Sequence, residues 1–207
     1  MSVLSTILFE TLQKAPFYRN IFHQALQLVE GIAGRSWLDV GCGPGELARM
    51  SVGNGFQTVG LDLDPGMIKR ARKLSRGLPN TPRFHQGQLN ELPPGTFDVV
   101  SAASFLAVVP NTRAMVDQLW SRVRPGGTLL IIEPTSLMHP QFLKEHPLPP
   151  GKHRWLAGLW ARARQHNTVS PQHWLRLDSQ ETHQMAAMDG MVGIWLLKKS
   201  LSQQEAS

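Results

Sequence analysis

The chain has 207 residues, 42% of them hydrophobic and 17% charged, with a formal net charge of +6. This fits one globular domain with a core of ordinary size. A single cysteine, Cys42, excludes an internal disulfide and a cysteine-based zinc site. With no apolar run of about 18 residues and no signal-peptide pattern, a cytoplasmic location is expected.

Two helices are expected first. Val3, Leu4, Ile7, Leu8 and Leu12 share one helical face, and beyond Pro16 so do Phe17, Ile21, Phe22, Ala25, Leu28 and Val29. Strand and helix then alternate: a strand over 36–40, a helix over 46–52, a strand over 58–63, and a helix starting at Pro65 and ending near Leu74. Strands over 83–88 and 97–103 follow, then a helix over 111–124, a turn at Pro125-Gly126-Gly127 and a strand over 128–133. Such alternation predicts a parallel sheet covered on both faces.

The pattern changes at Thr135. From there to Arg176 stand six Lys/Arg against one acid, Glu145, with His139, His146, His153, His166 and His173. Prolines 140, 147, 149 and 150 precede a basic amphipathic stretch, 152–165, on which Trp155, Leu156, Leu159, Trp160 and Ala163 share one side. Ser170-Pro171 reads as a helix start leading to Leu177. Strand-like runs 182–188 and 191–198 flank Asp189-Gly190, a two-residue hairpin signal, and 200–207 reads as a polar tail.

The most informative string is LDVGCGPG, Leu38 to Gly45. An apolar strand ends in an acid, Asp39, and glycines 41, 43 and 45 form a turn that feeds a helix. Glycine reaches positive φ and leaves room for a ligand against the main chain. The spacing matches neither the dinucleotide fingerprint nor the phosphate loop. It suits a nucleoside whose attached group is not a pyrophosphate. Asp62 ends the second strand nineteen residues after Gly43, where an acid accepts ribose hydroxyls in nucleotide-binding sheets. Met67, one helical turn on, is placed to pack on a purine face, and Asp64 is expected to cap that helix.

The turn, together with GLDLDPGMI, the Gly87-Gln88-Leu89 strand end, FDVVSAASFLAVVPN and RPGGTLLIIEP, resembles the motifs of class I S-adenosylmethionine-dependent methyltransferases, including the ubiquinone and menaquinone type. The resemblance covers 36–133 and 170–199. It implies an α/β fold with a Rossmann-like doubly wound sheet of seven strands, mostly parallel, closed by a C-terminal antiparallel hairpin. It further implies one domain over 1–207: lid helices over 1–34, a cofactor-binding half over 35–134, a cap insertion over 135–169, and the last helix and hairpin over 170–199. The cofactor is then S-adenosyl-L-methionine. Asp39 accepts from its amino group, and the main chain of Gly41, Cys42 and Gly43 holds its methionine end. Asp62 and Leu63 lie at the ribose, and Met67, Gln88 and Leu89 at the adenine. Ser101 lines the cleft near the methyl group. Gln88 stands where the family commonly has an aspartate, and Ala107-Val108 where many members carry a His-His pair.

A base is required only if the acceptor must lose a proton; Tyr18, Glu133 and the histidines of 135–176 are the candidates. Pro147, Pro149 and Pro150 break up the His139, His146, His153 spacing, so no metal site is expected. The acceptor is expected to be a small hydrophobic or aromatic molecule, with 152–165 available for contact with a membrane surface. Two readings stand beside this one: an RNA methyltransferase, suggested by the basic charge although no nucleic-acid partner is expected, and a non-catalytic cofactor-binding module. The sequence leaves the oligomeric state open.

Overall fold

The structure, a computed structural model, describes residues 3–32 and 34–201. Its elements are α1 (Val3–Gln13), α2 (Pro16–Leu28), β1 (Ser36–Val40), α3 (Glu46–Gly53), β2 (Gln57–Asp62), α4 (Pro65–Leu74), β3 (Arg83–Gln86), β4 (Phe97–Ala103), α5 (Thr112–Ser121), β5 (Val123–Pro134), α6 (Pro140–Glu145), α7 (Lys152–Arg164), α8 (Gln172–Leu175), β6 (Ser179–Ala187) and β7 (Val192–Lys199). The seven strands form one sheet in the order β3-β2-β1-β4-β5-β7-β6. β1 pairs in parallel with both β2 and β4, so the strand order reverses there. A reversal of this kind opens a crevice at the carboxyl ends of the strands. β7 runs antiparallel to β5 and β6, as the hairpin signal predicts.

Strand alternation divides the core into two layers. Trp37, Val99, Leu130, Ile132, Ile194 and Leu196 pack toward α2 and α7, while Leu38, Val100, Leu129, Ile131, Trp195 and Leu197 pack toward α5 and α8. At the opposite end of the sheet Asp98 accepts from Ser36 N at 2.7 Å and Ser36 Oγ at 2.6 Å and pairs with Arg124, clamping β1, β4 and β5 together.

Four local expectations are corrected. The Pro125–Gly127 turn lies inside β5 as an irregularity: Phe97 faces Val123, but Val99 faces Thr128. The hairpin loop has four residues, 188–191, not two. Ala187 faces Val192, and Met188, Asp189 and Gly190 all have positive φ. On α7 the buried side is Leu156, Ala157, Trp160, Ala161 and Arg164, with Trp155 59% exposed. That face is rotated from the expected one because Arg154 turns to the carbonyls of Leu143, Lys144, His146 and Leu148, and Arg164 to that of Ser104. On α1 the described part of the expected apolar stripe faces inward only at Leu12: Ile7 and Leu8 are exposed, and Thr6, Glu10 and Gln13 are buried. The side chains of Val3 and Leu4 and the tail beyond Leu201 lie outside the described residues.

Candidate functional site

The turn after β1 is built as its glycines require. Gly41, Gly43 and Gly45 have φ of 68°, 54° and 78°, and a side chain at Gly41 would overlap the Phe105 ring. Asp62 locks the turn to β2. Its Oδ2 accepts from Gly43 N at 2.8 Å and its Oδ1 from Asp64 N at 2.8 Å. Burial pushes the Asp62 carboxyl above the usual range. Each oxygen keeps a lone pair for a further donor. Asp64 caps α4 as expected, accepting from Gly66 N at 2.7 Å and Met67 N at 3.1 Å.

The turn amides are engaged within the fold. Gly41 N and Cys42 N both donate to Leu61 O, Gly43 N to Asp62, and Gly45 N to Cys42 O, while Pro44 has no N–H. No main-chain donor of the turn is left for a ligand carboxylate. The Cys42 side chain is also committed: it is buried against Ala48, Ile68, Ala71 and Phe84, and burial raises its thiol pKa.

Asp39 and Ser101 face each other across β1 and β4. Ser101 Oγ donates to Asp39 Oδ1 at 2.7 Å and accepts from Trp37 Nε1 at 2.8 Å. Fully buried and doubly bonded, Ser101 orients Asp39 and does not line an open cleft. Burial pushes Asp39 up to about 7, with Asp62 adding to the effect.

A third group gathers beyond β4. Glu133 at the end of β5 is 1% exposed. Its Oε1 accepts from Phe105 N at 2.7 Å and Leu106 N at 2.6 Å, while Oε2 has no partner among the described residues. Burial pushes its carboxyl up to about 7, against the lowering effect of Arg164 and those backbone donors. Tyr18 donates its hydroxyl hydrogen to Ser104 Oγ at 3.1 Å and packs on Trp160 with ring centroids 4.8 Å apart. Burial lifts the Tyr18 pKa to about 12, so at neutral pH it is a donor and not a base. Ser104 itself has φ 50°, a strained value for a serine, and its carbonyl accepts from Arg164 at 2.6 Å.

The remaining expected contacts separate. Leu63 is 62% exposed beside Asp62, Met67 is buried under the start of α4, and Gln88 is exposed. Leu89 sends its side chain into the core and its carbonyl to Arg122. The His139 and His146 rings accept from the backbone two residues on, and no three His, Cys, Asp or Glu among the described residues form a metal-ligand group.

Sequence reasoning missed the state of the crevice. Two cavities of about 410 and 510 Å³ lie away from it, the first among Leu26, Arg35 and Phe56, the second among Leu89, Thr96 and Arg122. Over the glycine turn itself lies α1. A methyl group added to Gly43 would sit 3.1 Å from the Phe9 ring and 3.8 Å from Gln13 Nε2. Glu10 holds the helix there through Arg70 of α4, whose Nη2 donates at 2.9 Å and whose Nε donates to the other oxygen. Only the inward polar spacing Thr6, Glu10, Gln13 could have signalled this.

A family model described as a methyltransferase domain matches residues 12–183. The chain is similar to the nocamycin O-methyltransferase of Saccharothrix syringae, 33% identical over 140 residues, which is 65% of this chain and 49% of that protein. It is also similar to the ubiquinone biosynthesis O-methyltransferase of Pseudomonas paraeruginosa, 33% identical over 104 residues, 49% of this chain and 45% of that protein. The matched stretch thus spans half or less of these relatives' own length. Among solved structures, the N-methyltransferase NodS of Bradyrhizobium japonicum in complex with S-adenosyl-L-homocysteine superposes with a TM-score of 0.66 at 16% identity, covering 91% of this chain and 90% of that one. At that identity the likeness is one of fold.

Proposed function

This chain belongs to the family of methyltransferase domains, and on that premise we propose that it moves a methyl group from S-adenosylmethionine to a small hydrophobic or aromatic acceptor. The observation that carries this reading is the Asp62 carboxylate, fixed by Gly43 N and Asp64 N at the strand-order reversal. In the proposed complex it accepts both ribose hydroxyls, as an acid at this position does in nucleotide-binding sheets. Leu63 stands exposed beside Asp62, and Asp39 is a carboxylate for the cofactor's ammonium group. Glycine at 41 and 43 lets the Phe105 ring and Phe9 of α1 lie directly against the turn, so the cofactor takes its place there as those side chains move aside, and the buried, unpartnered Oε1 of Gln13 beside Gly43 supports a ligand at this point.

The cofactor's sulfonium supplies a methyl group that is already activated. What the protein contributes is alignment and the exclusion of water. Phe17, Tyr18 and Phe22 of α2 pack with Trp160 of α7 in a buried aromatic cluster that Tyr18 ties to Ser104 after β4. An aromatic cluster beside the site supports an apolar, planar acceptor. Where the acceptor atom is a hydroxyl oxygen, Glu133 Oε2 takes its proton. The similarity to O-methyltransferases supports that atom. Trp155, exposed beside Lys152, supports contact between the outer side of α7 and a membrane surface, from which such an acceptor is delivered.

Titration calorimetry with S-adenosylmethionine tests the reading. Micromolar binding that Asp62→Ala weakens is the expected result. No binding at millimolar cofactor refutes it.

A further inference from the structure

A surface helix ordinarily turns apolar residues inward and polar residues out. α1 does the reverse at its centre: Thr6, Glu10 and Gln13, spaced i, i+4, i+7, are buried, while Ile7 and Leu8 are 49% and 42% exposed. Glu10 is accounted for by Arg70 and Lys14. Gln13 is not. It is 3% exposed, its Oε1 is buried without a partner, and no hydrogen bond reaches either end of its amide among the described residues. The folded chain alone gives no return for burying that amide. Gln13 Nε2 lies over Gly43, in the turn whose own N–H groups are all committed.

A ligand end carrying both an ammonium and a carboxylate needs acceptors and donors together. Around the turn, Asp39 is an acceptor, and no turn N–H is free to serve the carboxylate. A primary amide supplies one acceptor and two donors, whichever way it is turned. We propose that Gln13 is a binding residue for the α-amino-acid end of the cofactor, its N–H groups donating to the carboxylate and its oxygen accepting from the ammonium. α1 is then the lid that carries this ligand group onto the bound molecule. The proposal rests on the cofactor reading above and adds the group that selects for the tail.

The test pairs one variant with two nucleosides. S-adenosylhomocysteine carries the amino-acid tail; 5′-methylthioadenosine keeps the adenosine and the thioether and lacks it. Gln13→Met preserves the packing volume and removes both amide functions. By calorimetry on the full chain, Gln13→Met should weaken S-adenosylhomocysteine about tenfold or more and leave 5′-methylthioadenosine within about twofold. Its thermal midpoint should equal or exceed that of the parent, because an unpaired amide has gone. Should Gln13→Met fail to fold, Gln13→Glu serves instead: it keeps an acceptor, repels the carboxylate, and should show the same selective loss. Equal weakening of both ligands, or of neither, overturns the assignment while leaving the cofactor reading intact. So does a parent protein that binds the two nucleosides equally well. A parent that binds neither overturns both.

Discussion

The Gly43 N–H donates to Asp62 Oδ2 at 2.8 Å, joining the turn after β1 to the last residue of β2. The carboxylate therefore shapes the turn, and under the proposed function it also binds the ribose. Hydrogen bonds to charged groups contribute roughly 1.5–3 kcal/mol. Asp62→Ala removes the turn bond, the Asp64 bond and the ribose acceptor together, so S-adenosylhomocysteine affinity should fall about 100-fold or more. Asp62→Asn keeps one acceptor oxygen and should lose about tenfold. Calorimetry on the two variants checks the order; equal affinities for parent and Asp62→Ala would remove Asp62 from the site.

Glu10 and Arg70 stand sixty positions apart and fasten α1 to α4 by two hydrogen bonds, one to each carboxylate oxygen. Arg70 is the main cause that holds the Glu10 carboxyl down at about 2. Because that value is depressed, the pair's contribution is complete above the usual carboxylate range and is lost only as pH falls toward about 2. At neutral pH the latch is therefore insensitive to pH and sensitive to salt. The arginine side chain is 30% exposed, so the pair is worth on the order of 1 kcal/mol after screening. Glu10→Gln or Arg70→Ala should speed S-adenosylhomocysteine release about fivefold, measured by stopped-flow competition, with high salt producing part of the same effect in the parent. Unchanged release would show that α1 does not gate the crevice.

The parts of this site legible in the sequence are those encoded locally. Glycines at 41, 43 and 45, a proline opening α4 with Asp64 before it, and an acid ending β2 each carry their geometry in neighbouring residues. The parts that were not legible depend on distant partners. A helix whose polar stripe faces inward reads as one facing outward until Arg70 and the glycine turn are in place. Ser101 reads as a cleft residue until Trp37 and Asp39 take both roles of its hydroxyl. The turn amides read as ligand donors until the Leu61 carbonyl and Asp62 claim them. α7 follows the same logic, since two inward arginines outweigh the hydrophobic stripe that contains Trp155.

Asp39 predicts how stability depends on pH. Burial raises its carboxyl to about 7, so between the ordinary carboxylate range and that value the folded chain binds a proton that the unfolded chain has released. Stability from this group is present at low pH and lost as pH rises through about 7. Without cofactor, the thermal midpoint should fall between about pH 5 and pH 8, and Asp39→Asn should flatten that slope and raise the midpoint at pH 8. Bound cofactor should reverse the trend, because its ammonium favours the ionised carboxylate. A cofactor affinity that does not weaken as pH drops below about 7 would contradict the role given to Asp39.

Glu133 separates a chemical role from a structural one. Its Oε1 holds the backbone of Phe105 and Leu106, and Gln at this position keeps that acceptor, so Glu133→Gln should fold with an equal or higher thermal midpoint. Its Oε2 is the atom free to take a proton, and burial brings the carboxyl to about 7. Below that pH the group is neutral and cannot act as a base. Above it the carboxylate is ionised. Single-turnover methylation of a panel of substituted phenols and catechols should therefore rise through about pH 7 and level off. Glu133→Gln should lose about 10²–10⁴-fold in rate, the usual contribution of a positioned base, and lose the pH inflection with it. The residual rate should be greatest for the most acidic phenols, which ionise without help. A variant that keeps both rate and inflection would leave Glu133 as a support for the β4–α5 connection alone and place the proton acceptor elsewhere.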